Sequence, residues 1–380
     1  MEYDLIIVGA GPAGLSTALH LQQLAPALAA RMVILERAHH PRRKLCAGGV
    51  MPGGEAWLQK LGLSLDAIPS VVVQEAHFLF AGRGFVIKRS PAVFKVVARE
   101  VFDAWLADEA RFRGIELHEG VQVHRILVGS DGVEIETDAG IYHAHAVVGA
   151  DGANGVVRRA IAPRGQSGLA RLLEVRAEQS VQVTSSTRFT PQCATLDFSH
   201  MAQGVQGYAW NFPAQFGQSS GCSLGIFDSR IAPAPILGSL IPFLQQFAGH
   251  RGVGIDCRQV EGWPLRRFRR DGVFSAARVL LVGDAAGVDP LLGEGISFAL
   301  GYGDVAAREL VDAFTYEEFS FRDYRRHVLT HRVGRYLQRR SRVASFVYRL
   351  HAEWLLRFLW WTFGPIIGKI AEGVLVDWGE

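Results

Sequence analysis

"EYDLIIVGAGPAGLSTALHLQQL", Glu2 to Leu24, decides the fold. Tyr3 to Val8 is a short apolar run rich in branched side chains, the composition of a parallel strand buried on both faces. Gly9-Ala10-Gly11-Pro12-Ala13-Gly14 follows, and Leu15 to Leu24 continues as an apolar helix. In such a GxGxxG loop Gly9 makes the tight turn, Gly11 lets a pyrophosphate approach the backbone, and Gly14 brings the helix close to the sheet. Pro12 suits the first helical turn, where its missing N–H costs nothing, and Ala13 keeps that turn small. The helix N-terminus then stabilises phosphate charge. Arg31 to Leu35 forms a second strand ending at Glu36, at the distance where an acid binds ribose hydroxyls. A carboxylate there repels a 2′-phosphate, which disfavours NADP in this site and leaves FAD or NAD.

Outward from this βαβ unit, Val71 to Lys88 reads as two strands turned at Ala81-Gly82-Arg83-Gly84. Val96 to Arg113 has helical spacing, with Phe102, Leu106 and Ala110 on one face. Three strands are expected near Glu116 to His124, Gly132 to Thr137 and Ala146 to Gly149. Leu172 to Arg266 is rich in Thr, Ser, Gly and aromatics and predicts a mostly β domain. Arg278 to Val282 is again a buried strand, and Gly295 to Ala313 a helix. The expected class is α/β (α+β overall). A Rossmann-like nucleotide domain at 1–70, 95–165 and 270–315 is interleaved with a β substrate domain at 71–94 and 166–269. Residues 316–380 form C-terminal helices.

The 380 residues suffice for two interleaved domains, and a formal net charge of +3 is too small to imply nucleic-acid binding. Cys46, Cys193, Cys222 and Cys257 form no CxxC pair, so neither disulfides nor a metal site are expected. A reducing, cytoplasmic setting fits. Glu2 and Asp4 stand where a signal peptide would be basic, and no apolar run reaches the ~20 residues of a membrane span.

Two later segments follow apolar strands: Ala150-Asp151-Gly152-Ala153-Asn154 and Gly283-Asp284-Ala285-Ala286-Gly287. With GxGxxG they resemble the three fingerprints of FAD-dependent oxidoreductases of the para-hydroxybenzoate hydroxylase fold, which implies FAD as cofactor. "RKLCAGGV", Arg43 to Val50, and "YAWNFP", Tyr208 to Pro213, resemble the Lys-x-Cys-x-Gly-Gly and Tyr-x-Trp-x-Phe-Pro motifs of the geranylgeranyl reductase family within that fold. "GDAAGVDPLLGEGISFAL" is similar to its flavin-side segment. Ala214 departs from the pattern, since many members carry lysine after the proline.

The resemblance implies that Arg99, Asp284 and Gly283 contact FAD and that Lys44, Cys46, Ala47 and Gly48 form a flavin-side loop. It implies that Pro290, Gly293 and Gly295 turn beside the flavin ring, and that Arg37, Val123, Gly152 and Ile296 complete the cofactor site. Asp151 reads either as an FAD contact or as a turn acid. The implied activity is saturation of double bonds in a long isoprenoid chain by hydride from reduced flavin. NADPH, NADH or a reduced redox protein is the electron donor. An isolated alkene stabilises no carbanion, so an acid must assist; Cys46, with an ordinary thiol pKa of ~8.5, is protonated at neutral pH. It reads equally as a small residue packed in the loop. Tyr208, Trp210 and Phe212 alternate and share one strand face, either as sheet core or, with Pro290, as the wall of an apolar substrate pocket.

Phe321 to Arg349 is arginine-rich, including Arg335, Arg339, Arg340 and Arg342, and Trp354 to Phe363 is aromatic. The tail therefore either touches the cytoplasmic face of a membrane or packs on the enzyme. Rival readings are an FAD monooxygenase or halogenase on the same fold, and a non-catalytic flavin- or lipid-binding protein.

Overall fold

The structure is a computed structural model and describes residues 1–162, 168–178, 192–217, 219–233 and 238–375. Strands Glu2–Val8 and Met32–Glu36 flank helix Pro12–Leu24 and pair in parallel, Val8 opposite Leu35. Strand Gly140–Gly149 lies parallel on the other side of the first, Val8 opposite Gly149. Val279–Leu281 extends the sheet beyond it, and Glu116–Glu119 extends the far side. In space the five parallel strands run fifth, fourth, first, second, third, the doubly wound order. Chain order reverses between the first and fourth strands, so the crevice at their carboxyl ends lies between Gly9 and Ala150. Ligands of open α/β sheets bind at that switch point.

Several expected boundaries move. Glu116 to His124 is two strands rather than one, Glu116–Glu119 and Val123–Val128, because the chain turns at Gly120 with φ +71°. Val71 to Lys88 gives three strands. Ser70–Val73 joins a small antiparallel sheet with Gly49–Val50 and Phe94–Val97, while Glu75–Phe80 and Arg83–Lys88 form a hairpin. Residues 94–97 are thereby extended, and the helix expected from Val96 starts at Arg99. Strand pairing with Val133–Thr137 lengthens the strand expected at Ala146 back to Gly140. The helix expected at Gly295 to Ala313 spans Ile296–Tyr316.

A second sheet has seven strands in the order Glu261–Arg266, Leu169–Glu178, Ser219–Asp228, Gly207–Phe216, Cys193–Asp197, Glu75–Phe80 and Arg83–Lys88. Its pairs are antiparallel except Cys193–Asp197 on Glu75–Phe80. Tyr208, Trp210 and Phe212 point to one face, with Phe78, Phe94 and Phe227. Ala209, Leu224 and Ile226 point to the other and are covered by helix Ile241–Gly249 through Leu244 and Phe247.

Helices Tyr324–Thr330, Arg332–Val347 and Glu353–Leu375 close the chain. Arg340 is not on the basic surface where its arginine-rich context placed it. It is fully buried, and its Nη1 donates to Asp289 at 2.8 Å and to Glu294 at 2.5 Å, while its Nε donates to the Val374 carbonyl. Of the last helix, Leu356, Trp360 and Val374 are buried and Trp360 stacks on Phe80 and Phe85. Trp354, Phe358, Ile366 and Ile370 remain exposed. Among the described residues, no helix is long and apolar enough to cross a membrane.

Helices Pro12–Leu24 and Ile296–Tyr316 cross at backbone contact, with Ser16 Oγ donating to the Leu300 carbonyl at 2.6 Å. A Cβ on Gly303 would stand 2.6 Å from the Ser16 carbonyl carbon. Alanine gains about 1 kcal/mol of helix propensity over glycine, but the contact leaves that methyl no room. We expect Gly303→Ala to lower unfolding free energy by about 1–3 kcal/mol in urea titration; an unchanged or raised midpoint would contradict this close crossing.

Candidate functional site

The switch point opens into a cavity of about 700 Å³. Its floor is the glycine loop. Gly9 has φ +106°, and a Cβ there would lie 2.5 Å from the Ala150 carbonyl oxygen. A Cβ at Gly14 would collide with the Gly9 carbonyl, whereas one at Gly11 would meet only Arg42 Nη2 at 3.6 Å. Gly9 and Gly14 are thus fixed by packing, and Gly11 keeps the backbone open to a ligand. Gly11 is the N-cap of the first helix and no side chain caps it, so first-turn N–H groups remain available to a phosphate. Pro12 and Ala13 line the cavity beside them; Gly14 does not.

Glu36 is buried, its carboxylate accepting the Ala10 N–H at 2.9 Å and the Ala38 N–H at 3.1 Å. It lines the cavity with Arg37 and Val123. Arg99 holds Asp103 by two 2.9 Å hydrogen bonds, and Arg42 bridges to this pair, 3.3 Å from Asp103 and 3.5 Å from Glu36. Lys44 sits over the Trp263 ring, 3.4 Å from its centroid. Burial brings its ammonium down to about 8, against the pull of Asp284. Asp284 is raised by its own burial, with Lys44 and Arg99 opposing. Cationic Arg37, Arg42, Lys44, Arg99 and Arg159 on these walls suit a pyrophosphate.

Cys46 lines the cavity and accepts the Gly48 N–H at 3.3 Å. Burial pushes its thiol up, and the facing Arg99 guanidinium opposes this. The thiol therefore stays protonated at neutral pH. Gly48, at φ +80°, is pressed on Val97, and Ala47 packs with the aromatic cluster, so both shape the loop behind the cavity. Asp151 and Gly152 line the cavity, yet Asp151 also accepts the Val157 N–H at 3.0 Å at the start of helix Val156–Ile161. Burial raises Asp151 to about 6. Asp151 thus faces the cavity and accepts at the helix start from one place. Gly293, Gly295 and Ile296 line the far end, while Gly283, at φ +56°, backs Asp284 against Ala13.

Tyr208, Trp210 and Phe212 share a face, as their alternation requires, but all three are buried outside this cavity. Tyr208 donates to the Leu292 carbonyl at 2.7 Å, and the Pro290 carbonyl accepts from Ser229. These residues support the Asp289 to Gly295 turn. Sequence reasoning missed Arg42 and Trp263. Arg42 directly precedes the quoted basic loop and was findable there; Trp263 arrives from the β sheet, and no local pattern marks it. Among the described residues, no cluster of three His, Cys, Asp or Glu side chains could hold a metal.

Open amides at Gly11, an acid at the second strand's end and a cationic wall fit FAD. The FAD binding domain family matches residues 2–301. Digeranylgeranylglycerophospholipid reductase 3 of Methanosphaera stadtmanae is 27% identical, over 99% of this chain and 94% of that protein. A geranylgeranyl bacteriochlorophyll reductase-like structure from Thermoplasma acidophilum superposes with a TM-score of 0.72 at 18% identity, covering 98% of this chain and 99% of that one. The halogenase PltM in complex with FAD gives a TM-score of 0.70 at 15% identity, covering 98% of this chain and 83% of that one. The chain belongs to the FAD binding domain family and is an FAD-dependent oxidoreductase.

Proposed function

We propose that the chain saturates carbon–carbon double bonds of an isoprenoid lipid. The observation that carries the reading is the Cys46 thiol on the wall of the FAD cavity, in a loop packed against the aromatic sheet face. The reductase relatives support it. When bound and reduced, FAD supplies a hydride donor. Gly11 and the first helix anchor the pyrophosphate, Glu36 the ribose, and Arg99 with Asp284 the segment between pyrophosphate and ring. Cys46 Sγ holds a proton toward one alkene carbon, so that the other becomes tertiary and electron-poor as hydride arrives. The thiolate left behind is reprotonated from water. The aromatic face of Tyr208, Trp210 and Phe212 packs behind the Cys46 loop, and Tyr208 holds the Asp289 to Gly295 turn through the Leu292 carbonyl. NADPH, NADH or a reduced redox protein supplies electrons.

Chemically reduced enzyme incubated with prenyl lipids should add two hydrogens per double bond, read by mass spectrometry. Oxygen consumption with an oxygenated or halogenated product would overturn the reading. Cys46→Ala should retain FAD and lose turnover by about 10²–10⁴-fold, the range for one proton-transfer group. Full activity would remove the thiol from the chemistry.

The last helix supports a further part of the reading, contact with a membrane surface. Trp354 with Phe358 and Ile366 with Ile370 form two exposed i,i+4 pairs along this helix, beside Arg357 and Lys369. Replacing Trp354, Phe358 and Ile366 by serine should abolish cosedimentation with anionic lipid vesicles while leaving FAD content unchanged. Undiminished cosedimentation would rule out these side chains as the contact.

A further inference from the structure

Behind the glycine loop, Ala10 is gripped at both of its peptide groups. Its N–H donates to Glu36 Oε2 at 2.9 Å, and its carbonyl accepts from His40 Nε2 at 3.2 Å and from Arg42 Nη2 at 3.3 Å. The His40 side chain is 2% exposed, and its Nδ1 pairs with Glu119 Oε1 at 2.5 Å. The same oxygen accepts the His40 main-chain N–H at 3.0 Å, while Arg111 Nη2 lies 3.0 Å from Glu119 Oε2. Burial pushes the Glu119 carboxyl up, but His40 and Arg111 outweigh it and hold the group below the usual carboxylate range. A carboxylate and a carbonyl only accept, so the ring meets both with a proton on each nitrogen.

We propose that His40 is a positioning residue for the cofactor, holding the Ala10 carbonyl back so that the Gly11 N–H stays turned to the FAD pyrophosphate. This rests on the reading of the first helical turn as the pyrophosphate seat. The peptide between Ala10 and Gly11 is trans, so its oxygen and its N–H point to opposite sides. With the oxygen turned to His40, the Gly11 N–H is turned away from it, and among the described residues it has no hydrogen-bond partner. Gly11 lines the cavity, whereas Ala10 and His40 stand behind it. Glycine leaves the backbone open to a ligand, but it also gives this peptide little resistance to flipping. A flip would aim the Ala10 oxygen at the phosphates, negative toward negative. Arg42 shares the carbonyl but also faces Glu36 and Asp103, whereas the His40 ring is pinned by Glu119. The second strand, through Glu36, thus fixes the peptide before Ala10, and the third, through Glu119 and His40, fixes the one after it.

The test compares ADP with adenosine, which differ by the diphosphate alone, titrated by calorimetry into the full-length protein freed of FAD. The unaltered protein should bind ADP the more tightly. His40→Leu should weaken ADP by about 10–100-fold, the factor for one hydrogen bond to a charged group, and leave adenosine unchanged. His40→Gln, whose amide nitrogen stands at the place of Nε2, should restore most of the ADP affinity; His40→Asn is too short and should not. In the FAD-loaded enzyme the phosphorus NMR signals of the bound pyrophosphate should move in His40→Leu and return in His40→Gln. Equal losses for ADP and adenosine, or no loss of ADP, overturn the role of His40 and leave the seat in place. An unaltered protein that binds ADP no tighter than adenosine overturns the seat and the proposal together. Should His40→Leu fail to fold, the glutamine and asparagine variants decide.

Discussion

The backbone of the first strand passes so close to the fourth that residue 9 has no space for a side chain. A Cβ there would reach 2.5 Å from the Ala150 carbonyl oxygen, in a left-handed conformation that glycine alone adopts readily. This contact fixes where the chain order reverses, and therefore where the sheet offers a crevice. From it follow the first helix aimed at the crevice, Glu36 at the end of the adjacent strand, and Asp151 just past the fourth. The cavity is a consequence of strand order before it is a collection of side chains.

Its far wall is held from a distance. The turn from Asp289 to Gly295 reaches the cavity through Gly293 and Gly295, but its anchors come from the end of the chain and the β sheet. Arg340 pairs with Asp289 and Glu294, Tyr348 donates to the Leu291 carbonyl and Tyr208 to that of Leu292. Breaking a buried pair of this type by removing one member costs about 3–5 kcal/mol, because the remaining charge is stranded. The C-terminal helices thus act on the FAD site without touching it, and their basic composition conceals one arginine with an interior role.

Sequence displayed what local spacing dictates. GxGxxG, Glu36 and Asp284 were legible because each lies at the end of a strand, where the motif and its geometry coincide. The aromatic alternation gave the shared face of Tyr208, Trp210 and Phe212, yet not what that face meets. Trp263, Glu174 and Arg340 were not legible: each acquires its role from a partner tens or hundreds of residues away. The strand boundaries failed for the same reason, since pairing of Phe94–Val97 with Ser70–Val73 outweighed the helical spacing that begins at Val96.

Trp210 shows how packing and chemistry share a residue. Its indole lies over Gly225, where any Cβ would strike the ring, so the neighbouring strand is shaped to receive it. Its other end carries a polar N–H into the same interior, where it must find an acceptor. Ser223 supplies one and passes the hydrogen bond to Glu174. A phenyl ring would satisfy the packing and leave Ser223 with an unfilled acceptor. A tryptophan at this position therefore joins the aromatic face to the buried Glu174 carboxyl, and the motif's aromatic spacing encodes a polar contact as well as an apolar face.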